Sequence, residues 1–300
     1  MIDLTEHPVA ADLLIALGAA GAGGIGAMVG LGGGIVLVPL LTLVFGVDVQ
    51  TAMGASLVAV IGTSAGAAAV RGRGELSNPR VAILLELAAT VGAIGGALLM
   101  TLARDAWLFI LFGVVLLVTA LLSARHAEDP TPGELEPHAL SASLGLDGHV
   151  ATSAGTHRYH VQHPIGGMLT MLGAGGLSGL LGVGSGVFKV LAMDTLMRLP
   201  FRVSTVTSNF MVGLTAAASV GVYWNHGLID PRVAAPSLIG IVPGAMVGAW
   251  FVHRVHVKIL RVLFLLVLMV VAVQMVVRGV REEMGARAEP ATPGAQKGSP

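Results

Sequence analysis

The sequence predicts an all-α polytopic membrane protein of two homologous repeats. The repeats are read as inverted, each a glycine-broken first segment followed by three membrane helices. Three observations carry the prediction. Over 300 residues the chain is 54% hydrophobic and 11% charged, whereas soluble domains run near a quarter charged. Its apolar runs come at spanning length, about 20 residues. The second half of the chain repeats the first.

The first apolar segment runs from Leu13 to Phe45 and is cut by Gly30, Gly32, Gly33 and Gly34. Its 33 residues would make a helix about 50 Å long, against a hydrocarbon core of about 30 Å. A helix, a glycine turn and a half-helix doubling back would fit instead. The opening residues hold Asp3, Glu6 and Asp12 and no Lys or Arg up to that segment. They lack the basic start of a secretory signal, so the segment is expected to stay in the mature protein. Spans follow at Thr51–Val70, Val81–Leu102 and Trp107–Leu122. Together they make a first membrane repeat over 1–122. A polar stretch over 123–164, with "EDPTPGELEPH" and few large apolar residues, reads as a disordered linker. A second repeat over 165–278 holds Ile165–Leu196, again broken, then Val203–Tyr223, Val233–Val252 and Ile259–Val277. The tail, 279–300, reads as disordered.

Shifting the numbering by 152 (182 − 30) superimposes the halves without a gap. "GAGG" at 21–24 meets "GAGG" at 173–176, and "GLGGG" at 30–34 meets "GVGSG" at 182–186. Ser56 meets Ser208, Thr63 meets Thr215, "PRVA" at 79–82 meets "PRVA" at 231–234, and Gly92 and Gly96 meet Gly244 and Gly248. Two-repeat construction is common in secondary transporters, with the site at the repeat interface near mid-membrane. Basic loops mark the cytoplasmic side. They fall after the second segment in the first half (Arg71, Arg73, Arg80) and after the third in the second half (Arg254, Lys258, Arg261). Equivalent segments then face opposite sides, which places the linker inside and both termini outside. Arg278 and Arg281 argue the other way.

Charge and composition exclude several functions. Seventeen acidic and seventeen basic residues leave no basic stripe for phosphates, so nucleic acid is excluded as a partner. Zero cysteines remove disulfides, thiolate nucleophiles and thiolate metal sites. No phosphate loop, HExxH motif or nucleophile–base set is present, so the chain does not read as an enzyme and implies no cofactor. His149, His157, His160 and His163 crowd the linker without the carboxylate or cysteine partners of a metal site.

The candidate site residues are those that lipid makes expensive. Irregular backbone at membrane depth persists only where it lines a cavity or is buried in protein. Gly32, Gly33 and Gly34 in the first break, and Ser185 and Gly186 in the second, would expose backbone donors to an anion; close helix packing by small residues is the alternative. Lys189, three residues past the second break, would reinforce a positive site, or else snorkel or pair with Asp194. Ser56, Ser208 and Asn209 are the candidate side-chain donors, whereas Thr63 and Thr215 read as hydroxyls bonded back to their own helices. Glu86, alone in its span, is a candidate for proton coupling or a residue at the lipid–water boundary. Asp194 and Arg198, four apart, read as a structural helical pair.

At these residues the chain resembles the sulfite exporter TauE/SafE family of bacterial membrane permeases. "GLGGGIVLVPLL", "AMGAS", "GELSNPRVA" and "GAIGG" carry the likeness in the first half. "GVGSGVFKVLAMD", "STVTSNF", "GLIDPRVA" and "GAMVG" carry it in the second. Ser185 and Leu191, standing where the first half has Gly33 and Pro39, suggest a second break that is less kinked. The resemblance implies a multi-pass protein of the bacterial inner membrane, exporting small sulfur-containing anions such as sulfite or sulfonates. The sequence physics by itself says "anion". A homodimer, and coupling either to a proton through Glu86 or to the membrane potential alone, stay open. So do the rival readings of a passive anion channel, an importer of the same substrates, and a membrane-embedded enzyme or sensor subunit.

Overall fold

Proline and short polar side chains start most of the helices. In the computed structural model, which describes residues 8–71, 77–125, 138–152, 155–184, 186–251, 254 and 257–288, α1 (Pro8–Val29) opens on Pro8 and ends where Gly30 takes a φ of 83°. After the break come α2 (Gly34–Pro39), a wide π-helical turn (Leu40–Val44) and α3 (Val49–Arg71). Asp48 accepts from the backbone N–H groups of Gln50 and Thr51, each at 3.1 Å, which satisfies the free donors of the α3 start. α4 (Pro79–Met100) is capped by Asn78 and has Pro79 in its first turn, where a missing N–H costs nothing. α5 (Asp105–Arg125) closes the half.

The second half follows with α7 (Pro164–Leu181), α8 (Gly186–Leu191) and its π-helical turn (Ala192–Leu196). Then come α9 (Phe201–Asn225), α10 (Pro231–Phe251) and α11 (Val257–Ala288). Six helices among the described residues are long and apolar enough to cross a membrane: α1, α3, α4, α7, α9 and α10. The protein is a mostly helical, multi-pass membrane protein.

The broken segment doubles back on itself. Leu40 packs beside Gly18, and the backbone of Gly33 lies against Gly26 and Ala22, so α2 returns along α1. A π-helical turn follows α8 at Ala192–Leu196 just as one follows α2 at Leu40–Val44. Since Leu191 stands where Pro39 does, proline is not what widens this turn.

Glycines outside the breaks bring whole helices into backbone contact. α1 lies against α10 with Gly240, Gly244 and Gly248 on the backbones of Ala16, Ala20 and Gly24. α7 lies against α4 with Gly92 and Gly96 on the backbones of Leu172 and Gly176. Gly244 on Ala20 and Gly248 on Gly24 are the Gly92–Leu172 and Gly96–Gly176 contacts shifted by 152 (244 − 92; 172 − 20). Without a hydrophobic drive between helices in lipid, backbone approach of this kind supplies the dispersion contacts that hold them.

Contact numbering also gives helix directions. Along α1 and α10, and along α7 and α4, partner numbers rise together, so these pairs are parallel. α3 runs parallel to α10, with Gly54 beside Leu228, Gly62 beside Leu238 and Gly66 beside Val242. α9 runs parallel to α4, through Asn78 with Thr207 and Glu86 with Thr215. α5 and α11 are antiparallel: Ile110 meets Gly279, while Gly113 meets Val276 and Ala272.

The described parts of two stretches read as disordered are folded. Within the 123–164 linker, α6 (Ala139–Ser143) leads to a hairpin of β1 (Gly148–Thr152) and β2 (Gly155–Tyr159), antiparallel with Gly148 opposite Tyr159. Leu146, Val150, Tyr159 and Val161 pack into one cluster with Val81, Ala82 and Leu85 of α4 and with Met193, Met197 and Val203. Asn78 ties the pieces together: its amide donates to Leu146 O at 2.7 Å and to Tyr159 Oη at 3.0 Å while its oxygen caps α4. A few apolar residues suffice because the bundle supplies the rest of their core. Likewise α11 continues through 279–288 of the supposed tail. Residues 126–137 and 289–300 lie outside the described residues.

Candidate functional site

The two glycine breaks meet at the centre of the bundle. Gly30, Gly32 and Gly33 have φ values of 83°, 76° and 76°; Gly182 and Gly184 have 68° and 77°. All lie in the left-handed region that an L side chain rarely adopts. Gly186 packs on the backbone of Gly30 and Leu31, and Gly34 on Val183. Gly32 and Gly184 both face Val60 of α3 and Val212 of α9, near the midpoints of those helices. Ser185 lies outside the described residues.

Ser208 joins the breaks: its hydroxyl lies 2.8 Å from Gly30 O and 3.2 Å from Gly186 O. Asn209 donates through Nδ2 to Ala27 O at 2.8 Å, near the end of α1. Several polar atoms around them are buried with no protein partner: Ser56 Oγ, Ser204 Oγ, Thr205 Oγ1 and Asn209 Oδ1. Ser56 packs against Gly34, and Thr205 against Gly30. An unsatisfied buried group costs about 1–3 kcal/mol, so this collection fits a place that receives a polar guest.

One helical turn beyond the second break, Lys189 is fully buried. It neither snorkels nor relies on Asp194. Its Nζ lies 2.7 Å from Glu86 Oε2, and Glu86 is itself 93% buried (100 − 7). Thr215 bridges the pair, contacting Lys189 Nζ and donating to Glu86 Oε1. Three elements therefore converge: α8 brings the cation, α4 the carboxylate and α9 the hydroxyl. Glu86 lies buried inside the bundle.

Thr215 escaped the sequence reading, which treated it like Thr63. Thr63 does bond back along its own helix, to Ala59 O at 3.2 Å. Thr215 keeps the equivalent bond to Met211 O at 3.3 Å and adds the ion pair. The missed signal was charge: Glu86 and Lys189 are opposite charges stranded in two apolar spans, and each needs a partner. At the positions related by the 152-residue shift the trio is Leu37, Thr63 and Leu238. The charged trio thus exists on one side of the pseudo-symmetry only.

The remaining candidates lie elsewhere. Asp194 sits in the π-helical turn and Arg198 beyond it at φ 56°, so they do not share the helical turn their spacing suggested. His160 Nδ1 lies 2.7 Å from Asp147 Oδ2 in the folded linker.

A membrane-embedded helical bundle of two repeats, broken mid-helix around a buried ion pair, has the build of a membrane transporter. The profile of the sulfite exporter TauE/SafE family matches residues 14–275, and the chain belongs to that family. It is 25% identical over 276 residues to "Probable membrane transporter protein YunE" of Bacillus subtilis (strain 168), covering 89% of this chain and 98% of that protein. "Probable membrane transporter protein YdhB" of the same strain is 25% identical over 235 residues, 78% of this chain and 87% of its own. A "Probable membrane transporter protein" of Xylella fastidiosa (strain 9a5c) is 27% identical over 272 residues, 89% and 96%. No solved structure matches the chain.

Proposed function

We propose that this transporter exports small sulfur-containing anions, sulfite and sulfonates among them, across a bacterial cytoplasmic membrane. The observation that carries the reading is the meeting of the two breaks, where the orphaned hydroxyls of Ser56 and Thr205 lie against break glycines and buried Lys189 follows Gly186 by one turn. Hydroxyls and an ammonium donate to an oxyanion, and the breaks exist at mid-helix because Gly32 and Gly184 permit them. In this reading Lys189, Thr215, Ser56, Ser208 and Asn209 contribute to the anion's surroundings. Gly32, Gly33, Gly34 and Gly186 form the backbone around it.

The repeats are inverted in this reading. Support comes from helix direction: α3 and α9 are equivalent by the 152-residue shift yet run opposite ways, and so do α5 and α11. A twofold axis relating antiparallel membrane helices lies in the membrane plane. Rocking one repeat against the other would then expose the centre to each side in turn.

The test is flux into proteoliposomes holding the purified protein, with labelled sulfite, thiosulfate, sulfoacetate and taurine. The expected result is saturable flux of at least one, counter-transport of label, and loss of both in Lys189→Met. Flux that never saturates would make the protein a channel. No flux of any of the four would refute the substrate class.

A further inference from the structure

Glu86 holds Lys189 and Thr215 in the way a bound anion would. Its two carboxylate oxygens take the ammonium and the bridging hydroxyl, one each, in a site closed to solvent. The fold does not require this pair. In the other half Leu37 and Thr63, both fully buried, occupy the equivalent positions with Leu238 beside Gly62 and no charge at all. Stability does not explain it either, since a buried ion pair is commonly matched or exceeded by apolar residues of similar volume.

We propose that Glu86 is a tethered stand-in for the transported anion, so that the anion is carried together with a proton. An incoming oxyanion takes the place of the Glu86 carboxylate on Lys189 Nζ and Thr215 Oγ1. Glu86 would then be a buried charge without a counter-ion, the costly outcome when a buried pair is broken. Taking a proton from the aqueous phase on the loading side removes that charge. Lys189 stays an ammonium throughout. On the far side the anion leaves, Glu86 returns its proton to water and closes again on Lys189. Among the described residues of the elements packed here, α7 has no acidic or basic side chain, α9 presents Thr215 and carries Arg202 in its first turn, and Asp194 lies in the π-helical turn after α8. At the linker end of α4, Arg80 donates to Gly145 O, and Asp147 pairs with His160.

The proposal rests on the anion-carrier reading and sharpens it. A proton carried with a monoanion cancels its charge, so the membrane potential alone no longer drives export. Direction follows the combined gradients of anion and proton, and export results when the outward gradient of the anion prevails.

Calorimetric titration of the purified full chain in detergent tests this. Sulfite, thiosulfate and methanesulfonate are each titrated in two buffers of different ionisation heat. The difference gives the protons taken up per anion bound, and about one is expected for the wild type. Thiosulfate and methanesulfonate bring no proton of their own near neutral pH. Glu86→Gln, checked for a native elution profile, should still bind anion and take up none. Binding by the wild type without proton uptake overturns the proposal and leaves the carrier reading standing. The same uptake in Glu86→Gln also overturns it, by placing the proton elsewhere. If none of the three anions binds the wild type, the functional reading falls and takes the proposal with it.

Discussion

Replacing Lys189 by Leu converts one corner of the charged trio into its counterpart in the other half. It removes a fully buried ammonium whose nitrogen lies 2.7 Å from Glu86 Oε2. What remains is a carboxylate, 7% exposed, with Thr215 as its hydrogen-bond donor. Removing one partner of a buried pair costs roughly 3–5 kcal/mol, because the charge left behind is uncompensated. Replacing Glu86 by Leu in the same chain removes that charge and reproduces the Leu37–Thr63–Leu238 arrangement. Thr215 would keep its bond to Met211 O, as Thr63 keeps its own to Ala59 O. The double variant should therefore recover most of the loss, lying within about 1–2 kcal/mol of wild type, since apolar replacement of a whole pair is often neutral or better. Reversible unfolding in mixed micelles, followed by circular dichroism, closes the double-mutant cycle. The expected coupling is at least about 2 kcal/mol. A double variant as unstable as Lys189→Leu alone would refute the reasoning, because the loss would then come from misfit of leucine and not from a stranded charge.

Two further predictions concern other parts of the molecule. Gly96 packs directly on the backbone of Gly176, whereas nothing lies within 4 Å of a side chain added at Gly95. Gly96→Leu should therefore lower the unfolding free energy by more than the roughly 1–3 kcal/mol typical of overpacking, while Gly95→Leu stays within about 0.5 kcal/mol of wild type. Equal effects would remove close packing as the role of that glycine. In the folded linker, burial lifts the Tyr159 phenol above its ordinary 10.0, with the Asn78 hydrogen bond opposing and Asp147 adding to the rise. The native state then keeps a proton that the unfolded state releases above pH 10, so stability falls as pH climbs past that point. The tyrosinate absorbance difference between wild type and Tyr159→Phe should show a midpoint above 10, and a midpoint at or below 10 would contradict burial of the ring.

The sequence by itself determined the solvent, the number of repeats and the places where helices break. Lipid imposes those through composition, length and backbone satisfaction, which are properties of short windows. The glycines within 30–34 and 182–186 are legible because only a special backbone puts so many glycines into an apolar span. Glu86 and Lys189 were visible as isolated expensive charges. Their partnership was not, because 103 residues separate them and periodicity carries no long-range information. Thr215 looked like Thr63 for the same reason: a hydroxyl in a helix always has a local carbonyl to bond, and the neighbour that changes its role comes from another helix. The linker misled in the opposite sense. Composition scored its own few apolar residues, yet Leu146, Val150, Tyr159 and Val161 complete a core supplied mainly by α4 and the segment around Met197. A π-helical turn forms at Ala192–Leu196 without a proline, so that turn was not legible from Pro39. Tertiary structure decided which buried charges meet, which glycines pack and which break, and which polar atoms are left without a partner, because each depends on surfaces that only folding brings together.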